Sequence, residues 1–259
     1  IYCYNSNYTN IAHNSIHITA GDLSNGRGIY LNSTSATYGN ISVQNNNIVN
    51  SGGGLAIEIS SNAVSYGYVT KCDFNNLYSS GSYIGEYSSA PQVDLAAWQT
   101  TSGLDLNSVS INPTFTAVND LHTYSIGLND VGTPITNVTD DIDGEARDAS
   151  TPDIGADEFT PSSVDAGAFE LINPIAPALI GANNVEVSFR NYGINDITSV
   201  DIEWELNGTP QTTYNWTGTL PTATNDTVLL GSGTFNQGNN SLKIWTASPN
   251  GGADGNNGN

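Results

Sequence analysis

Three stretches of the chain share one pattern. Ile11-Ala-His-Asn-Ser-Ile16, Val43-Gln-Asn-Asn-Asn-Ile48 and Val69-Thr-Lys-Cys-Asp-Phe74 each read apolar, four mostly polar residues, apolar. Between them lie GIYLNS (28–33), GLAIEIS (54–60) and YIGEY (83–87), short alternating runs set off by glycine-rich turns, and the pair TYGN (37–40) and SYGY (65–68) recurs too. The copies are spaced by roughly 26 to 32 residues, with three short strands per period. This period predicts a right-handed parallel β-helix, in which each coil lays its strands on those of the coil below and inward Ile, Val and Leu stack into columns. Asparagines at the bends, such as the run at 45–47, are expected to stack along the axis by linking their amides. One coil cannot bury its own apolar face, so several must stack. About three are visible, so the chain reads as a segment whose earlier coils precede Ile1. The alternation inside the strands argues against an accident of an asparagine-rich sequence.

After residue 90 the pattern changes. PQVDLAAWQTTSG (91–103) predicts one short helix over 94–102, with Asp94 as N-cap and Gly103 closing its C-terminus. The stretch DDIDGEARDASTPDIGADEF (140–159) then places eight carboxylates around one arginine, Arg147. An EF-hand loop needs glycine at its sixth position, and from Asp141 the glycine arrives at the fourth, so that motif is rejected. An irregular calcium site built from Asp140, Asp141, Asp143 and Asp148 stays open, as does a catalytic carboxylate pair. The cluster lies at the end of the coil rather than in an evident groove, which favours a structural role.

Residues 1 to 160 resemble the C-terminal part of secreted bacterial right-handed parallel β-helix repeat proteins. The resemblance is carried by Asp94-Leu-Ala-Ala-Trp98, Asn107-Ser108, Asn112-Pro113-Thr-Phe115, Leu121-His122, Asp141-Ile-Asp-Gly144 with Arg147, and Pro152-Asp-Ile-Gly-Ala-Asp-Glu-Phe159. It implies that the acidic stretch is the closing wrap of the β-helix, covering strand edges that would otherwise pair with other chains. Arg147 would then pair with Asp141, Asp143 or Asp153 as a structural centre, and Ile142, Ile154 and Phe159 would face the last coil.

Residues 161–164 read as a linker, and 165–259 as a separate domain. Val185, Val187 and Phe189 alternate with polar residues, as do Val200, Ile202, Trp204 and Leu206. Each run has one buried and one wet face. With turns expected at 191–196, 207–210, 231–233 and 237–240, this is the pattern of an immunoglobulin-like β-sandwich. The phrases ITSVDIEWELNG, YNWTGTL, LLGSGTF and TASPNGGADGN are similar to the immunoglobulin-like, CARDB-like adhesion-related domains of bacterial surface proteins. That resemblance implies a sandwich short of its last strand. Trp204, Trp216 and Trp245 are expected in packing rather than as sugar platforms.

The chain carries 25 Asp plus Glu against 5 Lys plus Arg, a formal charge of -20. That argues against nucleic acid or an anionic membrane surface as partner. No apolar run reaches the ~20 residues of a membrane span, and no signal peptide opens the chain. Thirteen tyrosines, no methionine and only Cys3 and Cys72 suit a secreted or cell-surface protein without a disulfide framework.

Three functional readings follow. The leading one is a non-enzymatic structural or adhesive segment of a large surface protein, whose partners are surface glycans or neighbouring copies of itself. The second is a polysaccharide lyase or hydrolase. Such a lyase needs a base beside carboxylates or calcium, and the coils offer only Arg27, Lys71, His13 and His17, with His13, Asn45 and Lys71 aligned in one column and Glu58 and Glu86 elsewhere. The third is glycan binding on Tyr30, Tyr66, Tyr68, Tyr83 and Tyr87, which otherwise pack across coils. No Ser-His-Asp order, Cys-His pair or zinc spacing is legible. GDLSNGRG (21–28) has glycines but no following helix, which speaks against a phosphate loop.

Overall fold

A computed structural model of the chain describes residues 1–20 and 26–255; most of the 21–28 glycine stretch lies outside the described residues. The protein is all-β, with two short α-helices among the described residues, and it divides into two compact units, Ile1–Thr160 and Pro161–Asn259. Among the described residues no helix is long and apolar enough to cross a membrane.

In the first unit the alternating runs become strands β1 (Tyr2–Tyr4), β2 (Asn10–Ala12), β3 (Ser15–Ile18), β4 (Arg27–Asn32), β5 (Ile41–Gln44), β6 (Asn47–Asn50) and β7 (Leu55–Ile59). After helix α1 (Ser61–Ser65) come β8 (Val69–Asp73), β9 (Asn76–Ser79), β10 (Gly85–Tyr87) and β11 (Ala90–Gln92), then α2 (Leu95–Ser102). Every third strand pairs in parallel, giving the sheets β1-β4-β7-β10, β2-β5-β8 and β3-β6-β9. Tyr2, Tyr30, Glu58 and Glu86 are successive partners in the first sheet, a step of 28 residues. Inward residues such as Ile29, Ile57, Ile41, Val43, Ile48 and Leu77 form one apolar core and are fully buried.

The third copy of the repeat is not at 69–74. Cys72 is the partner of Val43 and Leu77 that of Ile48, so the copy in register is Cys72-Asp-Phe-Asn-Asn-Leu77. The cause is an irregularity in β8: Ile41 pairs with Val69, but Ser42 pairs with Lys71, so one residue is skipped. Lys71 therefore leaves the column of His13 and Asn45, and Phe74 takes the place. His13, Asn45 and Phe74 all turn the chain through the left-handed region, with φ between 51° and 58°.

One position further on, the bend is polar and buried. Asn14 Nδ2 donates to Asn46 Oδ1 (2.8 Å), Asn46 Nδ2 to Asn75 Oδ1 (3.0 Å), and Asn75 Nδ2 to Asp105 Oδ1 (2.9 Å). The stacked amides expected at 45–47 are present, one position along the bend.

Helix α2 matches its predicted span. The Asp94 carboxylate accepts from Ala97 N at 2.8 Å, and Gly103 closes the helix with φ 69°. Its Trp98 is fully buried and joins the core of the stack. The last parallel strands are covered by β11, which pairs antiparallel with β10, by α2, and by residues 105–109, whose backbone bonds to Cys72, Asn75 and Leu77. The acidic stretch, expected over that end, instead lies along the His13–Asn45 corner. Gly155 N donates to Asn45 O (2.9 Å) and Ala156 N to Ser15 Oγ (3.0 Å).

The second unit holds β12 (Ala166–Asn173), β13 (Gly181–Asn191), β14 (Ile197–Leu206), β15 (Thr209–Pro210), β16 (Tyr214–Leu220), β17 (Asn225–Phe235) and β18 (Leu242–Ala247). One antiparallel sheet runs β12-β13-β17; the other joins β15, β16 and β18 to β14. The predicted alternating residues of β13 and β14 are buried in one core fed by both sheets. Two expectations are corrected. Gly231-Ser-Gly233 is no turn but lies inside β17, at an irregularity facing Val185. Residues 161–164 are no free linker, since the carbonyls of Ser162, Ser163 and Val164 accept from Ile194, Asn195 and Gly255.

Candidate functional site

The acidic stretch holds four aspartates whose pKa is shifted, Asp141, Asp148, Asp153 and Asp157. Arg147 sits at its centre with a side chain only 4% exposed. Its partner is none of the three aspartates expected. Nη1 donates to Glu158 at 3.2 Å, and Nη2 donates to the carbonyls of Gly155 (3.2 Å) and Ala156 (2.7 Å). Glu158 in turn accepts from the backbone of Asp148 and Asp153. A planar guanidinium reaches a carboxylate and two carbonyls together, which ties 147, 155, 156 and 158 into one knot.

Asp153, expected to pair with Arg147, bonds instead to backbone amides. Its carboxylate accepts from Asp130 N (2.7 Å) and Phe159 N (2.8 Å). Burial pushes its pKa up to about 7 against the pull of those amides. Ile154 is fully buried and bonded to Leu128, whereas Ile142, expected on the coil, is 69% exposed.

The four aspartates proposed for calcium are not gathered into one group. Asp141 accepts from the amides of Asp143, Glu145 and Glu158; burial pushes its pKa up, but these amides and Arg147 outweigh it and hold it low. Asp148 caps a turn by accepting from Ser150 and Thr151, whose amides depress its pKa. Asp140 accepts from Thr139 Oγ1, and Asp143 points to His122. Backbone amides thus occupy the oxygens that a cation would need, at Asp141 and Asp148 above all.

The one convergent group of metal-ligand atoms among the described residues is His122, Asp143 and Asp157, all within 4.8 Å of one another. His122 bonds through Nδ1 to Asp120 and through Nε2 to Asp143 Oδ2 (2.7 Å). The Asp120 bond, then the Asp143 bond, raises its pKa to about 9, so the ring is an imidazolium at neutral pH. Asp157 lines a cavity of about 210 Å³ with His122, Leu121 and Ile142, and burial raises its pKa to about 6. Once Nε2 is deprotonated, the set offers one nitrogen and two carboxylates, with Asp120 orienting the ring. That is the donor set of a transition ion such as zinc rather than of calcium, which prefers six to eight oxygens.

The bases considered for a lyase are scattered. His13 is buried between Asn45 Nδ2 (2.8 Å) and Gly155 O (3.2 Å). Burial, then the Arg147 charge, lowers its pKa to about 4. Arg27 is paired with Glu58 and lies over the Tyr30 ring, while Lys71 is exposed on β8. Trp204 and Trp216 are buried in the second core, as expected, and Trp245 is half-buried under Lys243.

Sequence reasoning missed Glu158, Asp120, Asp157 and the buried Asp105. Asp105 accepts from Trp98, Cys72, Asn75 and Ser108 at 2.6–3.1 Å. Only Leu121-His122, quoted within the resemblance, signalled the histidine. Comparisons with protein-family models, with curated proteins and with solved structures return no match for this chain.

Proposed function

We propose that the chain is a non-enzymatic structural and adhesive segment of a secreted bacterial surface protein. On this reading the first unit is the end of a right-handed parallel β-helix and the second an immunoglobulin-like, CARDB-like sandwich, both outside the cell. The observation that carries the reading is the ladder Asn14–Asn46–Asn75–Asp105, whose last three members are buried and whose polar side chains bond to one another along the stack. The parallel pairing of every third strand supports the β-helix, and the common core of two antiparallel sheets supports the sandwich. Surface glycans or neighbouring copies of the chain are the partners this role implies.

The test is incubation with uronic-acid and neutral polysaccharides while unsaturated and reducing ends are followed. No release is expected. Turnover abolished by His13→Ala or Lys71→Ala would replace this reading with a lyase. A cation, where one is taken up, belongs at His122, Asp143 and Asp157. Zinc should then raise the melting temperature of the first unit, and His122→Ala should remove the effect, whereas calcium should do little.

A further inference from the structure

One corner of the first unit differs from the rest in chemistry. The recurring TYGN and SYGY fall at equivalent places: Ile41 pairs with Val69, so Tyr38 and Tyr66 occupy matching positions three residues before. On the preceding turn Asn7 bridges to Gly39, which brings Tyr8 to the same corner. Tyr8, Tyr38, Tyr66, Asn40, Thr37 and Thr70 line a shallow polar groove of about 250 Å³. Three successive turns cross about 10 Å at ordinary strand spacing.

Two of these rings are held out into solvent. Tyr8 is 83% exposed and Tyr66 is 40% exposed. Among the described residues no carboxylate, lysine, arginine or histidine lines the groove. Residues 1–57 contain a single acidic residue, Asp22, in a chain with 25. The negative field that would repel an anionic polymer is concentrated in other parts of the chain.

Rigid amphipathic rings beside amide and hydroxyl groups, with no charge, suit a ligand with apolar faces and a hydroxyl rim. We infer that this groove binds a neutral oligosaccharide, with Tyr8 and Tyr66 as stacking rings and Asn40, Thr37 and Asn7 as hydrogen-bonding partners. Tyr30, Tyr68 and Tyr87 are excluded from this role: Tyr30 stacks on Tyr2, Tyr68 is buried, and Tyr87 packs edge-on against Trp98. The inference rests on the adhesive half of the proposed function.

The experiment is titration of the full chain with cellohexaose, mannohexaose and xylohexaose, with hexagalacturonate as the anionic probe. At least one neutral probe should bind and the anionic one should bind more weakly. Tyr66→Ala and Tyr8→Ala should each weaken binding about tenfold with no change in melting temperature. Tyr66→Phe should keep most of it, and Tyr83→Ala, outside the groove, should change nothing. No binding of any neutral probe, binding indifferent to both alanine variants, or tighter binding of hexagalacturonate would overturn the inference. None of these outcomes bears on the structural half of the proposed function, which is read from melting and turnover.

Discussion

Arg147 shows why identity and burial matter more than the count of acids around it. Eight carboxylates share its stretch, yet it bonds to one of them and to two carbonyls. Removing a partner from a largely buried pair typically costs about 3–5 kcal/mol, because the other charge is left uncompensated. Arg147→Ala should lower the melting temperature of the first unit accordingly. Arg147→Lys should be nearly as damaging, since one ammonium cannot face Glu158 and both carbonyls; calorimetry distinguishes these outcomes. His13 gives a pH dependence of definite sign. Its folded pKa is depressed to about 4, so its contribution is fully present above the unfolded value of 6.5 and is lost as pH falls toward 4. The loss is at most about 3 kcal/mol. Asp153 acts oppositely: with a folded pKa raised to about 7, it favours the fold at low pH and loses that contribution as pH rises from about 4 to 7. The net profile mixes both, so the informative measurement is a difference. His13→Gln should lose less stability than wild type between pH 6.5 and 4.5, and an NMR titration should find the wild-type ring neutral down to about pH 4.

At the scale of elements, the bend between β5 and β6 is the joint on which the stack depends. Asn46 is fully buried, donates to Ile11 O, Gln44 O and Asn75 Oδ1, and accepts from Asn14. Asn46→Ala leaves several buried groups unpartnered at about 1–3 kcal/mol each, so chemical denaturation should report a loss of about 3 kcal/mol or more. Asn40→Ala, on an exposed corner, should cost only about 1 kcal/mol, from the left-handed φ of 60° that asparagine tolerates better than alanine. Much at this scale was legible. Strands β4, β7 and β10 lie within a residue or two of the runs that announce them, because period-two alternation marks one buried face. Helix α2 was legible from its two caps alone. The third repeat was misplaced because Val69 and Cys72 both look like the opening apolar residue, and only the irregularity at Ser42 and Lys71 decides between them. No local pattern encodes a one-residue slip. Nor does composition say which of eight acids an arginine will meet, because that partner is set by where the backbone turns at Pro152–Ala156. Gly231-Ser-Gly233 misled for a related reason: glycines that mark a turn in one place relieve a strand irregularity in another.

For the whole molecule the decisive point is that each unit builds its own core. One cluster runs from Cys3 to Trp98 and the other from Ala166 to Phe235, with no residue in common. Hydrophobic burial is the main favourable term in folding, so units with separate cores can lose their structure at separate temperatures. Trp204 tests this from the second unit. It is 3% exposed and donates its indole N–H to Thr212 O at 3.1 Å. Truncating a buried tryptophan to alanine typically costs about 3–5 kcal/mol, from lost burial and the cavity left behind. For a unit of this size such a loss lowers its melting temperature by well over 10 °C. Differential scanning calorimetry of the intact chain should therefore resolve two transitions. Trp204→Ala should displace one and leave the other in place, while Arg147→Ala and Asn46→Ala should displace the second and leave the first. A single transition shifted by all three substitutions would mean that the chain folds as one cooperative body despite its two cores.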